Sequence, residues 1–480
     1  MYSEYGLFID GKWQNASDKK TFPVINPATE EIIGEVPSAT PEDLEHALES
    51  ARKGFDTWKR TPAWDRAVVL RKASVLIHER IEEIARVMVT ETGKPLAEAR
   101  GETAAAADQF EWYAEETKRI YGQTIEGRTP DVRMSVIYQP VGVCAAFSAW
   151  NFPVLLPARK IAAALAAGCS VICKPAGEAP GTLMVLVQAL ADAGIPSGAV
   201  CVVTGKSSLI AEHLIGSSTV RKVSLTGSVP VGKQLLHLCA DGVKKVSMEL
   251  GGHGPAIVFD DADPLAAAKT LATAKFRNCG QVCISPSRFY VHNSIRDVFA
   301  NAFTDYAKSL TLGLGFDPGV TLGPMANQRG LEHCQALCVD AVDKGGRLLT
   351  GGKRAATFQK GYFFEPTVID NVPEDALIMH QEPFAPIAPI TGFDDFDEVM
   401  ARANALPFGL AGYVFTESLK TATLASEALE VGMVGINEVL LACAEAPFGG
   451  VKESGMGREG GSMGILDYLV PKYIKTRLSF

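Results

Sequence analysis

Between Val141 and Glu249 the chain alternates five short apolar runs with helix-length segments, and this alternation limits its possible folds more than any other feature. The runs are Val141 to Phe147, Ser170 to Lys174, Ala199 to Val203, Val220 to Leu225 and Lys244 to Glu249. Helix-forming stretches lie between them at Pro157 to Ala167, Gly181 to Ala193, Ser207 to Ile215 and Val231 to Cys239, the first two stopped by Gly168 and Gly194. Strands that are apolar throughout and joined by helices predict a doubly wound parallel sheet. Such α/β sheets bind ligands at the carboxyl ends of their strands. Polar residues gather there: Trp150 and Asn151 after the first strand, Lys174 at the second, Gly227 and Ser228 after the fourth, and Glu249 with Gly251 and Gly252 at the fifth. One Lys or Asn after a strand is commonly a solvated loop residue, but four of five strand ends at one edge point to a site.

A chain of 480 residues exceeds what one core usually supports, so two or three structural units are expected. Before the sheet, residues 7 to 36 carry hairpin signals, including Asp10-Gly11. A helical pattern runs from Pro41 to Thr92, with Thr40 as N-cap and Gly93 as its stop, and a further helix covers Ala97 to Tyr121. Residues 123 to 136 are polar and are expected to be exposed or β-paired elsewhere. After Gly252 new strands (PAIVFDD, RFYVHN, GYFFEPTVI, FAPIAPITGF, LAGYVFT, GMVGIN) alternate with helices and predict a second α/β unit. The tail Leu466 to Phe480 reads as a helical turn and a strand without a core of its own, and is expected to pair with another subunit.

The net charge of −9 comes with no long like-charged block, which argues against nucleic acid as a partner. The N-terminal MYSEYGLFIDGKW lacks a basic region followed by an apolar core, so no secretory signal is expected. No stretch has the ~18 apolar residues of a membrane span. Ten cysteines show no secreted framework and suit a reducing cytoplasm. Without histidines beside the cysteine pairs, apart from His333, no metal site is expected.

Most such thiols are small buried hydrophobes. The exception proposed by the sequence is Cys283 in KFRNCGQVCIS, Lys275 to Ser285, where Gly280 and Gln281 let the backbone open and present N–H groups near the sulfur. A nucleophilic cysteine needs a base and an oxyanion partner. Glu249, ending a strand before two glycines, is the candidate base, and the Asn151 amide, with the Cys283 N–H, the candidate oxyanion donor. His253 beside a glycine-rich turn keeps a Cys-His hydrolase open. The stretch Leu225 to Gly232 (LTGSVPVG) opens a helix with glycines five apart, where helix amides and Ser228 suit a pyrophosphate. A thiol, a carboxylate and an amide donor on a nucleotide-type sheet suggest oxidation of a carbonyl through a thioester.

The motifs AWNFP (Ala149 to Pro153), KPA (Lys174 to Ala176), TGS (Thr226 to Ser228), MELGG (Met248 to Gly252), FRNCGQVC (Phe276 to Cys283), EPF (Glu382 to Phe384) and PFGGVKESGMGRE (Pro447 to Glu459) together resemble the aldehyde dehydrogenase superfamily over nearly the whole chain. The resemblance implies a Rossmann-type doubly wound NAD(P)-binding domain at 1–122 and 141–252, a second α/β catalytic domain at 253–452, and a small β oligomerisation extension at 123–140 and 453–480. It implies a homodimer or homotetramer without nucleic acid or membrane partners. It also assigns roles: Cys283 attacks the aldehyde, Asn151 stabilises the oxyanion, and Glu249 activates the hydrolytic water. Lys174 and Glu382 hold ribose hydroxyls, Gly227 and Ser228 the pyrophosphate, and Trp150, Leu250 and Phe384 the nicotinamide side. In NAD-preferring relatives a glutamate commonly stands three residues after the KPA lysine; Gly177 stands there here, with Glu178 next, so NADP is expected to be tolerated beside NAD. Ala385 replaces a frequent glycine.

Within the family the chain looks most like bacterial succinate-semialdehyde and 2-oxoglutarate-semialdehyde dehydrogenases. Arg159 and Arg277 match positions that bind a distal carboxylate, which suits a guanidinium fork; the family's late-loop serine is replaced by Ala442. The small-molecule substrate implied is an acidic semialdehyde, succinate semialdehyde first. Glutarate, 2-oxoglutarate, sulfonated or neutral aldehydes are alternatives, and a hydrolase or a non-catalytic binding protein are distant ones. Cys279 is read either as a packing residue or as a redox partner forming a disulfide with Cys283.

Overall fold

A computed structural model of the chain describes residues 2–478, so Met1 and the last two residues of the expected 453–480 segment lie outside the described residues. The first sheet has eight strands in the order Lys12–Gln14, Leu7–Ile9, Val200–Val202, Ser170–Lys174, Val143–Phe147, Val220–Gly227, Lys245–Leu250, Gly455–Met456. Its five middle strands are parallel, as the apolar runs predict. The order reverses between Val143–Phe147 and Val220–Gly227, and a ligand crevice opens where the order of such a sheet reverses.

The connecting helices follow from their residues. Leu155–Ala167 is buried at every position and stops at Gly168, whose φ of 90° is the left-handed value that glycine adopts without strain. Apolar clusters cover both faces of this sheet, one built on Ile161, Leu165 and Phe110, the other on Leu44, Ile172 and Leu225. Truncating one fully buried leucine in such a layer costs ~2–5 kcal/mol. Ahead of the sheet, Pro41–Trp58 begins with Thr40 and Asp43 in a reciprocal capping box, an arrangement worth ~1 kcal/mol. The long helix Leu96–Glu116 ends earlier than the periodicity predicts and continues as the 3-10 turn Thr117–Arg119.

The second sheet has seven strands in the order Arg347–Thr350, Thr367–Asp370, Ile387–Phe393, Pro286–His292, Gly254–Val258, Ala411–Phe415, Met433–Ile436. All its pairings are parallel except the first. A third, three-stranded antiparallel sheet joins Leu469–Arg477, Val132–Pro140 and Gln123–Glu126. The C-terminal strand pairs within the chain on one side, in register from Leu469 opposite Pro140 to Arg477 opposite Val132, and forms one outer edge of this sheet. The same C-terminal segment also lends Gly455–Met456 to the edge of the first sheet.

Candidate active site

The segment holding Cys283 is shaped by backbone strain. After Pro264–Phe276, Asn278, Cys279 and Gly280 all adopt left-handed conformations, with φ of 48°, 56° and 69°. Non-glycine residues rarely do this, at roughly 1–2 kcal/mol each, so the turn must be held from outside. The Asn278 N–H donates to Glu98 at 3.0 Å, and its side-chain amide donates to the Asn151 carbonyl at 3.0 Å and to the Gln281 carbonyl at 3.2 Å. The Gln281 amide donates to the Asn278 and Pro324 carbonyls, while its Oε1 accepts from the Ala326 N–H at 2.9 Å. Glycine is required at 280: a Cβ there would lie 2.1 Å from the Ala385 carbonyl oxygen. Gly280 and Gln281 therefore clamp the turn and do more than loosen it.

Two cavities meet at Cys283. The larger, about 500 Å³, is lined by Trp150, Asn151, Gly227, Ser228, Glu249, Cys283, Glu382 and Phe384 among others. The smaller, about 30 Å³, is lined by Cys283, Arg159, Arg277, Ala442, Phe152 and Phe448 among others. Two expected residues lie outside both. Lys174, buried at its strand end, donates to Ser207 Oγ at 2.7 Å, and burial holds its amine below the usual lysine range. Leu250 packs beneath the sheet edge against Gly232, where a Cβ would meet it at 2.5 Å.

The Cys283 thiol is pushed well up by burial and by the facing Glu249 carboxyl, with Arg159 opposing. Burial pushes Glu249 up to about 7; the Glu459 charge adds to this, and Lys160, Cys283 and Arg159 oppose it. Neither Glu249 oxygen has a hydrogen-bond partner, which leaves both free to take a proton from a thiol or a water. Glu382 is likewise raised, to about 8, by burial, against the Gly252 N–H that it accepts at 3.2 Å. Asn151 is less free than expected: one amide N–H donates to the Gln281 carbonyl at 3.1 Å, leaving the other for an oxyanion. The guanidinium of Arg159 stacks 4.1 Å from the Phe448 ring and that of Arg277 5.1 Å from the Phe152 ring, and Arg159 Nε has no hydrogen-bond partner. Both cations thus sit on aromatic walls of the small cavity.

The hydrolase alternative loses its footing. His253 is engaged at both nitrogens away from the cavities: its Nε2–H donates to the Ile378 carbonyl at 2.9 Å and its Nδ1 accepts from Ser287 Oγ at 2.8 Å. The charges bearing on the Cys283 thiol are Glu249, Glu382 and Arg159, with no histidine among them. Cys279 is buried with its thiol resting on Met325 Sδ at 3.7 Å, as the packing reading has it, and both Cys279 and Cys283 are free thiols.

Several residues of the site escaped the sequence reading. Lys94 and Glu102 form an ion pair at 2.6 Å with side chains 1% and 0% exposed. Lys94 also donates to the Asn151 carbonyl at 2.8 Å, and Glu102 accepts from the Val154 and Leu155 N–H groups at the start of the arginine-bearing helix. Removing one partner of such a pair costs ~3–5 kcal/mol, so this pair fixes where Asn151 stands. Lys160 donates to Thr226 Oγ1 at 2.7 Å and to Glu459; after burial, the charges of Glu459 and Lys160 bear on Glu249, the first raising its proton affinity and the second lowering it. The available signal was the helix itself, since Arg159-Lys160 interrupts a segment with no polar face to solvate them. Arg329 and His333, on Gln328–Asp343, line the larger cavity.

Comparison with known proteins agrees with this geometry. A family model described as "Aldehyde dehydrogenase family" matches residues 13–474. The chain is 45% identical over 467 residues to a glutarate-semialdehyde dehydrogenase of Pseudomonas putida, covering 97% of this chain and 96% of the relative. It is 42% identical over 466 residues to an NADP(+) succinate-semialdehyde dehydrogenase of Escherichia coli, again covering 97% and 96%. The crystal structure of an aldehyde dehydrogenase from Brucella melitensis biovar abortus superposes with a TM-score of 0.97 at 45% identity, covering 99% of this chain and 97% of that one.

Proposed function

The chain belongs to the aldehyde dehydrogenase family, and we propose that it oxidises a short acidic semialdehyde, succinate semialdehyde first, to the carboxylic acid. The observation that carries this reading is the position of Cys283, which lines a wide cavity on one side and a narrow one walled by Arg159 and Arg277 on the other. An aldehyde reaching the thiol from the narrow side brings its distal anion to two guanidinium groups. The narrowness favours a short unbranched chain.

The wide cavity fits a nicotinamide dinucleotide. Ser228 makes no side-chain cap to the helix Val229–Asp241, leaving the first amides of that helix to a phosphate. Gly251 gives way to Glu382, since a Cβ there would come within 2.4 Å of Glu382 Oε2. Gly227 and Ser228 would hold the pyrophosphate, Lys174 and Glu382 the two riboses, and Trp150, Leu250 and Phe384 the nicotinamide side. Gly177 leaves room for either NAD or NADP, in line with the NADP(+) of the Escherichia coli relative. When bound, the nicotinamide supplies the hydride acceptor.

The chain's own residues do the rest. Glu249 takes the proton of Cys283 as the sulfur bonds the aldehyde carbon, and the free Asn151 N–H with the Cys283 amide stabilises the resulting oxyanion. Glu249 passes that proton to solvent and, after oxidation to a thioester, takes another from the attacking water; Cys283 leaves as the acid is released. Arg277→Gln is expected to lower kcat/KM for succinate semialdehyde by about tenfold or more, as a lost charge-assisted pair does. It is expected to leave a neutral aldehyde of equal length within about threefold. Steady-state rates on the two aldehydes with each cofactor test this, and equal losses on both would refute the arginine grip.

The three-stranded sheet supports assembly into a homodimer or homotetramer. Its strands and their continuation expose Ile125, Ile137, Tyr473 and Leu478, and Gln123–Glu126 and Leu469–Arg477 form its two outer edges. No helix of the described residues is long and apolar enough to cross a membrane. Ten free cysteines support a place in a reducing cytoplasm.

A further inference from the structure

Directly behind the wall of the larger cavity three sulfur atoms meet. Met325 lines that cavity beside Cys283. Its Sδ accepts weak S–H hydrogen bonds from Cys279 at 3.7 Å and from Cys334 at 3.9 Å. The two cysteines come from different elements, the strained turn Arg277–Gly280 and the helix Gln328–Asp343, and both are buried. Lys275 completes the cluster. Its side chain is fully buried, and its amine has no hydrogen-bond partner. Burial pushes that amine down to about 7, against the charges of Glu382, Cys334 and Cys279 that face it. The acyl chemistry above uses none of these four groups.

We propose that Met325, Cys279 and Cys334, with Lys275 as proton carrier, form an internal sulfoxide-reducing relay that spares Cys283 from peroxides. A peroxide entering the cavity gives one oxygen to Met325 Sδ and leaves as water, or as an alcohol if organic. Cys279, the nearer thiol, takes that oxygen: the thioether is restored and Cys279 becomes a sulfenic acid. Cys334 then condenses with it, forming a Cys279–Cys334 disulfide and releasing water. The two electrons that reduce the peroxide come in the end from the two thiols, and their two hydrogens leave in the waters. Lys275 receives the Cys279 proton and returns it to the transferred oxygen. Two equivalents of an external thiol reduce the disulfide and reset the relay. Both cysteines touch the same sulfur atom, which places them on one shared neighbour for the condensation.

Peptide mass mapping of the full chain after substoichiometric hydrogen peroxide tests the relay. The wild type is expected to show the Cys279–Cys334 disulfide with Met325 unoxidised. C334S is expected to stop earlier, with the oxygen retained on Met325 or Cys279, and C279S gives the same reading at the first thiol if C334S folds poorly. K275M should accumulate Met325 sulfoxide while forming the disulfide more slowly. M325L, close to isosteric, should form no disulfide and lose Cys283 to sulfinic acid about threefold faster or more. A disulfide forming in M325L at the wild-type rate would overturn the relay. So would Met325 sulfoxide persisting in the wild type beside two free thiols.

Discussion

Cys283→Ala is expected to lower aldehyde oxidation by at least about 10⁴-fold in kcat/KM, because no other group on the cavity wall can carry the acyl intermediate. The large figure follows from the neighbours. Glu249 and Asn151 are arranged around the sulfur, and with the sulfur gone they have nothing to deprotonate and no oxyanion to stabilise. The substitution removes one half-buried atom facing two cavities, so the fold is expected to survive with its melting temperature little changed. The variant is still expected to bind dinucleotide, read by quenching of tryptophan fluorescence. Residual turnover within about tenfold of wild type, measured by reduced-nicotinamide absorbance, would remove Cys283 from its role.

Glu249→Gln is expected to lower kcat by about 10²–10⁴-fold, the usual worth of a positioned base. It also separates two steps that the wild type runs together. Glutamine cannot take a proton from water, so any acyl-enzyme that forms persists. The same carboxyl sets the pH profile of the wild type. Its proton affinity is raised to about 7, and only the ionised form is a base, so activity is full above that pH and falls as the pH drops through it. The variant is expected to lose this limb. A wild-type rate flat from pH 5 to 9, two units on either side of that midpoint, would contradict the assignment.

Much of this was legible in the chain. The strand Ser170–Lys174 and the stops at Gly168 and Gly194 follow from apolar runs and from glycines that alone turn left-handed cheaply. Cys283, Glu249 and Asn151 could be suspected because each stands beside glycines or at the end of an apolar strand, a local signal. Contacts that exist only after folding were not legible. Lys160 and Glu459 are 299 residues apart, and Lys94 reaches Asn151 across 57. No periodicity reports such pairs, although Lys160 in a fully buried helix required some partner. Cys279 follows the packing reading: it is buried, with its thiol resting on Met325 Sδ. The polar stretch expected to be exposed or β-paired elsewhere pairs with the C-terminal strand, a partner that only the fold could name.

The central claim is that an acyl group forms on Cys283 and waits there for Glu249. Intact-protein and peptide mass spectrometry of Glu249→Gln, mixed with succinate semialdehyde and NADP, tests it most directly. The account predicts reduced nicotinamide rising, more slowly than in the wild type because the thiol also lacks its base, to an amount equal to the enzyme present, with a succinyl group on the peptide carrying Cys283. The same amount with an unmodified Cys283 peptide, or a label on any other residue, would contradict it.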